Sequence, residues 1–180
     1  MDLTEKQIDS ELIYGGGFLE VRKDRVLLPD GSISSREYLV HMGAVVMLAI
    51  LENGNLVMER QYRYPPRREF IELPAGKIDK GEDILATAQR ELLEETGYVA
   101  REWIHLTTAF PCIGYSDERL EYFIARGLTH QGSKLDEGEF LEVFELSLSD
   151  AIEWIRVGKI TDCKTIVGLF WLEKHLKDWK

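Results

Sequence analysis

The stretch Gly76–Tyr98, GKIDKGEDILATAQRELLEETGY, decides how the rest of the chain is read. A glycine-bearing loop leads into a segment where Leu85, Ala88 and Leu92, with Leu93 beside them, recur at helical spacing. Gly97 stands where such a helix would stop, so the pattern predicts a helix over roughly 84–96. Residues three and four apart on a helix share a face, which crowds Glu91, Glu94 and Glu95 together, with Arg90 just before them. Like charges at that spacing repel, and a helix shaped for stability alone would pair Glu with Lys. A divalent cation held by hard oxygen ligands turns the repulsion into coordination. The expectation is a magnesium site that handles an anionic substrate.

Upstream of this stretch, Ala44–Leu51 is a continuous apolar run with β-branched residues, read as a strand buried on both faces. Glu52-Asn53-Gly54-Asn55 turns it into a returning strand over 56–64, which Pro65-Pro66 stop. A short strand over 70–73 feeds Pro74-Ala75-Gly76. Nearer the start, residues 18–22 alternate like a strand and continue through Arg25–Leu28 to the turn Pro29-Asp30-Gly31. A second strand over 34–41 closes a hairpin. Residues 1–12 read as a polar terminus, helical or loose.

Downstream, strands are expected over 103–110 and 120–125, flanking the loop Pro111–Glu118, and again over 140–146. Ser149 is read as the cap of a helix to about Val157, with Gly158 as its stop. Asp162 or Thr161 opens a last helix, with Ile166, Leu169, Phe170 and Leu172 as core candidates. Trp154, Trp171 and Trp179 read as packing residues, and the four scattered histidines suggest no triad. Mixed strands with helices on both sides give an α/β/α sandwich with a mixed central sheet and an additional N-terminal antiparallel sheet.

At 180 residues the chain is read as one domain, with N-terminal strands over 1–42 and a core over 43–180. Its net charge of −10 argues against nucleic-acid binding, which needs a basic face. No apolar run approaches the roughly 20 residues that span a membrane. The start lacks the plan of a signal peptide, and Cys112 and Cys163 stand in no metal-ligand spacing. A cytoplasmic protein with two reduced thiols is the expectation.

Written as spacings, the deciding stretch is Gly76, five residues, Glu82, seven residues, Arg90-Glu91-Leu92, one residue, Glu94-Glu95, one residue, Gly97, Tyr98. This resembles the signature of the Nudix hydrolases, which cleave nucleoside diphosphates linked to another group. Tyr98 departs from it, standing where the family usually has a bulky aliphatic residue. The resemblance implies the sandwich fold and Mg²⁺ as cofactor, with Mn²⁺ as a substitute and more than one ion per site. It names Glu91 and Glu95 as main ligands, Glu94 as an assistant and the backbone carbonyl of Ala75 as a further ligand. Arg90 orients the carboxylates, while Gly76, Glu82 and Gly97 serve the motif's architecture. Such ions screen a diphosphate's charge and lower the pKa of a bound water, so a carboxylate is wanted to take the proton.

Within the family, the ADP-ribose type is the most similar. Leu135-Asp136-Glu137-Gly138-Glu139-Phe140 is similar to a Gly-Glu-Phe segment whose glutamate acts as base or extra ligand, which points to Glu139 first and Glu137 second. Gln61-Tyr62-Arg63-Tyr64-Pro65-Pro66 resembles a segment whose arginine, here Arg63, contacts substrate phosphate, and Arg68 is a further candidate. The loop Cys112-Ile113-Gly114 carries Ile113 where that type has proline, while Tyr115-Ser116-Asp117-Glu118 still resembles it, with Glu118 near a terminal ribose. The implied partners are a small nucleoside diphosphate substrate and a second copy of the chain through the N-terminal sheet. Other nucleoside diphosphate sugars or dinucleotides are the enzymatic rivals. A nucleotide sensor on the same fold is the rival from another class, and the intact Glu91-Glu94-Glu95 set argues against it.

Overall fold

A computed structural model describes residues 1–135 and 137–178, and the side chains through residue 176. Asp136 of the acidic loop and Trp179 lie outside the described residues. Chain contacts divide the molecule into two compact units, residues 1–43 with 110–119, and residues 44–109 with 120 onward.

The N-terminal unit is an antiparallel sheet of β1 (Lys6–Gly15), β2 (Glu20–Leu27) and β3 (Ile33–Val40), in that order. The first strand corrects the expectation of a helical or loose terminus. Its register against β2 shifts between Gln7 and Asp9 and again between Leu12 and Tyr14, and all ten residues are exposed. Two irregularities in one solvated strand erase the alternation by which a strand is recognised. Pairing with β2 holds it instead, through an Arg25–Asp9 ion pair and a Gln7–Asp24 hydrogen bond of 2.8 Å. The hairpin from β2 to β3 turns at Gly31 (φ 86°), where the Leu28 carbonyl accepts from the Gly31 N–H. The 110–119 segment docks on β3: the Leu39 N–H donates to the Tyr115 carbonyl, and the Asp117 carboxylate accepts from the His41 N–H.

The second unit has a mixed sheet in the order β7 (Ala75–Lys77), β4 (Ala44–Ala49), β10 (Leu120–Arg126), β9 (Glu102–Ala109), with β4 and β10 parallel. A second, antiparallel sheet runs β12 (Leu141–Leu146), β5 (Leu56–Arg63), β6 (Arg68–Glu72). Short strands β8 (Tyr98–Val99) and β11 (Thr129–His130) pair with each other.

Alternation along β4 explains the layers. Val46 and Leu48 pack into one apolar cluster, and Val45, Met47 and Ala49 into another. Helix α1 (Ile84–Thr96) covers the second cluster with Ala88 and Leu92. On the other side α2 (Leu148–Arg156) contributes Ala151, and α3 (Cys163–Asp178) contributes Leu169 and Leu172. This is the α/β/α arrangement, with the additional antiparallel sheet at the N-terminus.

Three local readings are corrected. Ser147, not Ser149, caps α2, its Oγ accepting from the Asp150 N–H, because β12 ends at Leu146 and hands the chain directly to Ser147. Phe170 is 46% exposed, one residue on from fully buried Leu169, so the 100° helical step carries it off the core face. Trp171 is half-exposed, whereas Trp154 packs against Phe144 with ring centroids 6.3 Å apart. Between Thr161 and Asp162, it is Asp162 that opens α3, its carboxylate accepting from the Thr165 N–H and hydroxyl.

Candidate active site

Helix α1 begins where the Asp83 side chain accepts from the Leu85 and Ala86 N–H groups, and ends at Gly97 in the left-handed region (φ 74°). Strand β7 pairs with β4, laying residues 75–77 beside the helix. The Ala75 N–H donates to Glu95 Oε2 at 3.1 Å. At Gly76 an added Cβ would overlap the carboxyl group of Glu91, so glycine here is the condition for that carboxylate to lie against the loop.

Arg90 ties the loop to the helix. Its Nε and Nη2 donate to the two oxygens of Glu82 at 3.0 and 2.9 Å, and its Nη1 donates to Glu91 at 2.8 Å and Glu94 at 3.0 Å. These charge-assisted bonds hold the Glu82 carboxyl down to about 2, and raise the Arg90 guanidinium above its already high value.

Strand β5 supplies the facing wall. Glu59, Gln61 and Arg63 alternate onto one face, following Val57, which packs in the α1-side cluster. Gln61 Nε2 donates to Glu139 Oε1 at 3.3 Å, whereas Glu137 is exposed in the turn before it. Arg63 donates from Nε and Nη2 to both oxygens of Glu72, at 2.7 and 2.8 Å, and Lys164 of α3 also pairs with Glu72. Arg68 donates to the Thr161 hydroxyl at 2.7 Å.

Electrostatics binds these groups into one site. Burial pushes Glu95 well above the usual carboxylate range, reinforced by the charges of Glu59, Glu91 and Glu139. Burial likewise raises Glu91, with Arg90 opposing it. Glu59 is pushed up to about 8, first by burial and then by Glu72 and Glu139. Glu72 behaves oppositely: burial would raise it, but Arg63 and Lys164 hold it below its ordinary value. The hydrogen bonds of Arg63 and Lys164 thus go to Glu72, while like charge from Glu59, Glu91 and Glu139 bears on buried Glu95.

Among the described residues no three acidic, histidine or cysteine side chains already stand in a ready-made cation cage. The donor set nevertheless fits a hard divalent ion. It consists of oxygen donors, carboxylates with the Ala75 carbonyl, and Oε1 of Glu59 is buried without a hydrogen-bond partner among the described residues. Sequence reasoning missed Glu59, Glu72 and Lys164. A signal existed for the first: one glutamate directly after the apolar Leu56-Val57-Met58, at the position that alternation assigns to the side of Val57.

Of the residues read from sequence, Arg63, Ala75, Gly76, Glu82, Arg90, Glu91, Glu94, Glu95, Gly97 and Glu139 belong to the second unit together with Arg68. Ile113, Gly114 and Glu118 lie in the 110–119 segment of the N-terminal unit. There Ile113 is 83% exposed, and the Glu118 N–H donates to Ser116 Oγ.

The NUDIX domain model matches residues 40–162, and the model for the nucleoside diphosphate sugar hydrolase N-terminal domain matches residues 5–39. A methanol dehydrogenase activator of Bacillus methanolicus is 39% identical over 94% of this chain and 92% of its own. An ADP-ribose pyrophosphatase of Bacillus subtilis (strain 168) is 39% identical over 95% of this chain and 94% of its own. In fold, the chain is similar to a solved ADP compounds hydrolase, with a TM-score of 0.87, 20% identity, and coverage of 99% of this chain and 98% of that one. The chain therefore belongs to the Nudix family and is a Nudix hydrolase, an enzyme that cleaves the diphosphate linkage of nucleoside diphosphate derivatives.

Proposed function

We propose that this enzyme hydrolyses ADP-ribose with Mg²⁺, giving AMP and ribose 5-phosphate. The observation that carries the reading is the buried wall of repelling carboxylates, anchored where the Ala75 N–H meets Glu95. Likeness to the Bacillus subtilis ADP-ribose pyrophosphatase over nearly the whole chain supports the choice of substrate.

Nudix hydrolases generally work with divalent cations. Glu91, Glu94 and Glu95, with the Ala75 carbonyl, would hold Mg²⁺ or its substitute Mn²⁺, in more than one copy. Once bound, the cation supplies charge neutralisation of the diphosphate and Lewis-acid polarisation of its phosphoryl groups. The chain's own residues do the rest. Glu139, aligned by Gln61, takes the proton of the attacking water at its carboxylate. Arg90 keeps Glu91 and Glu94 from swinging outward by fastening them to the helix and, through Glu82, to the loop. Arg63, whose Nε and Nη2 are committed to Glu72, and Arg68, whose Nη2 bonds to Thr161, would meet the substrate's phosphates with their remaining guanidinium nitrogens.

The N-terminal sheet is proposed as a homodimer face, since β1 exposes Ile8, Leu12, Ile13 and Tyr14. No helix among the described residues is long and apolar enough to cross a membrane. With a net charge of −10, a small nucleotide suits the protein better than nucleic acid, and a cytoplasmic location is part of the proposal. A second reading, another nucleoside diphosphate sugar, is favoured by the match of residues 5–39.

A substrate panel decides between them. ADP-ribose, ADP-sugars, GDP-mannose, NADH, diadenosine polyphosphates and dNTPs are each incubated with Mg²⁺ and the products identified. Equal amounts of AMP and ribose 5-phosphate at the highest kcat/KM are expected from ADP-ribose. A stronger preference for another sugar replaces the substrate, and unchanged turnover in excess chelator overturns the metal-dependent reading.

A further inference from the structure

We propose that Glu59 is a cation ligand of this site, a fourth carboxylate that joins Glu91, Glu94 and Glu95 in binding a divalent metal ion. The proposal rests on the metal-dependent reading above and extends it to a residue outside the Gly76–Tyr98 stretch.

Four observations converge on it. Glu59 is 2% exposed, and its Oε1 is buried with no hydrogen-bond partner among the described residues. Leaving a carboxylate oxygen unpaired in the interior is costly, and interiors tolerate it where a function requires it. Second, the residue lies on the α1 side of β5, following Val57, so its side chain is presented toward the helix that carries the other carboxylates. Third, its charge is among those felt by Glu95, and it feels Glu139 in turn, so the groups share one electrostatic environment.

The fourth observation is a contrast. Glu72 stands directly opposite Glu59 across the β5–β6 pair and is equally buried. Both oxygens of Glu72 are taken by Arg63, and Lys164 adds a further bond. Two acids side by side have therefore been treated differently: Arg63 and Lys164 hydrogen-bond to Glu72, whereas on Glu59 the same two cations act through their charge, with no hydrogen bond among the described residues. An acid serving only the fold would be expected to resemble Glu72. What Glu59 lacks is positive charge delivered to a hard oxygen donor, which is what Mg²⁺ or Mn²⁺ brings.

The test uses the full chain and Mn²⁺ alone, without substrate, so that turnover does not enter. Binding is followed by calorimetry and by the electron paramagnetic resonance of free Mn²⁺, for wild type, Glu59→Gln and Glu95→Gln. Glu59→Gln is expected to lose one bound ion or to bind at least about tenfold more weakly, the loss that even indirect metal partners cause. Coincident isotherms for wild type and Glu59→Gln, with Glu95→Gln impaired, overturn the proposal and leave the metal-dependent reading standing. A wild type that binds no Mn²⁺ overturns both.

Thermal unfolding of Glu59→Met gives a second readout that does not depend on Gln packing well. Saturating Mn²⁺ is expected to raise the wild-type Tm by several degrees, and Glu59→Met by clearly less. Equal increments overturn the proposal, whatever the absolute Tm of the variant.

Discussion

Gly76 has no side chain because Glu91 occupies its place. A Cβ at residue 76 would coincide with the Glu91 carboxyl group, whereas the Gly76 backbone is not in the left-handed region. Gly76→Ala therefore carries a steric penalty against one flexible side chain and no backbone strain. Glu91 must give way, Cγ included, and lose its 2.8 Å bond with Arg90. The fold should survive while the site is misplaced. Displacement of a catalytic group by about 1 Å can cost about 10²-fold, and kcat/KM for Gly76→Ala is expected to fall by that order. A urea midpoint unchanged from wild type, together with this loss, marks a local effect. A proportionate fall in both would mean that Gly76 serves the fold.

At the scale of elements, the start of α2 offers a clean comparison. Ser147 Oγ accepts the Asp150 N–H at 3.0 Å, while the Ser149 hydroxyl meets only the Ser147 hydroxyl among the described residues. Ser147→Ala should cost about 1 kcal/mol, the usual value of a lost cap, and Ser149→Ala less than about 0.5 kcal/mol. Urea unfolding of the two variants checks the order, and the reverse order would move the helix start. The same pair shows what the sequence could and could not disclose. Ser147, Ser149 and Asp150 are all good caps, and only the end of β12 at Leu146 chooses among them. Where one signal dominates, the reading is sharp: α1 spans Ile84–Thr96 because Gly97 closes it, and β4 is legible because its apolar run is buried on both faces. Strand β1 was illegible because its partner, not its own pattern, makes it a strand. Three-residue β7 has too few residues to carry a period at all. Within the site, the helix carboxylates follow from spacing, but the pairing of Glu72 with Arg63 and Lys164 joins residues 9 and 92 positions apart, and no local pattern records it.

Five glutamates of the site and its surroundings fall into two opposed states, and the stability of the whole molecule should respond to pH accordingly. Glu82 and Glu72 are held below their ordinary values by Arg90, Arg63 and Lys164. Such groups stabilise the fold above the unfolded value of 4.5, and that contribution is lost as pH falls toward about 2 for Glu82. Glu59, Glu91 and Glu95 are raised, mainly by burial. For these the native state keeps protons that the unfolded chain has released, so the slope of stability with pH is negative. Their contribution is complete below 4.5 and is lost as pH rises through the folded value, about 8 for Glu59. Metal-free protein in chelator should therefore become less stable between about pH 5 and pH 8. Divalent cations require the same carboxylates deprotonated, and binding to the native state alone adds about 2.7 kcal/mol at a hundredfold excess over Kd. Mn²⁺ should thus remove the alkaline decline, and the Tm increment it produces should grow with pH across that interval. Thermal melts with chelator and with saturating Mn²⁺, taken at steps from pH 5 to pH 8, measure both curves. If the two run parallel, the buried acids titrate without reference to the ion, and the link between their repulsion and metal binding is broken. If they diverge toward high pH, the repulsion that destabilises the empty site is the same energy that draws the cation in.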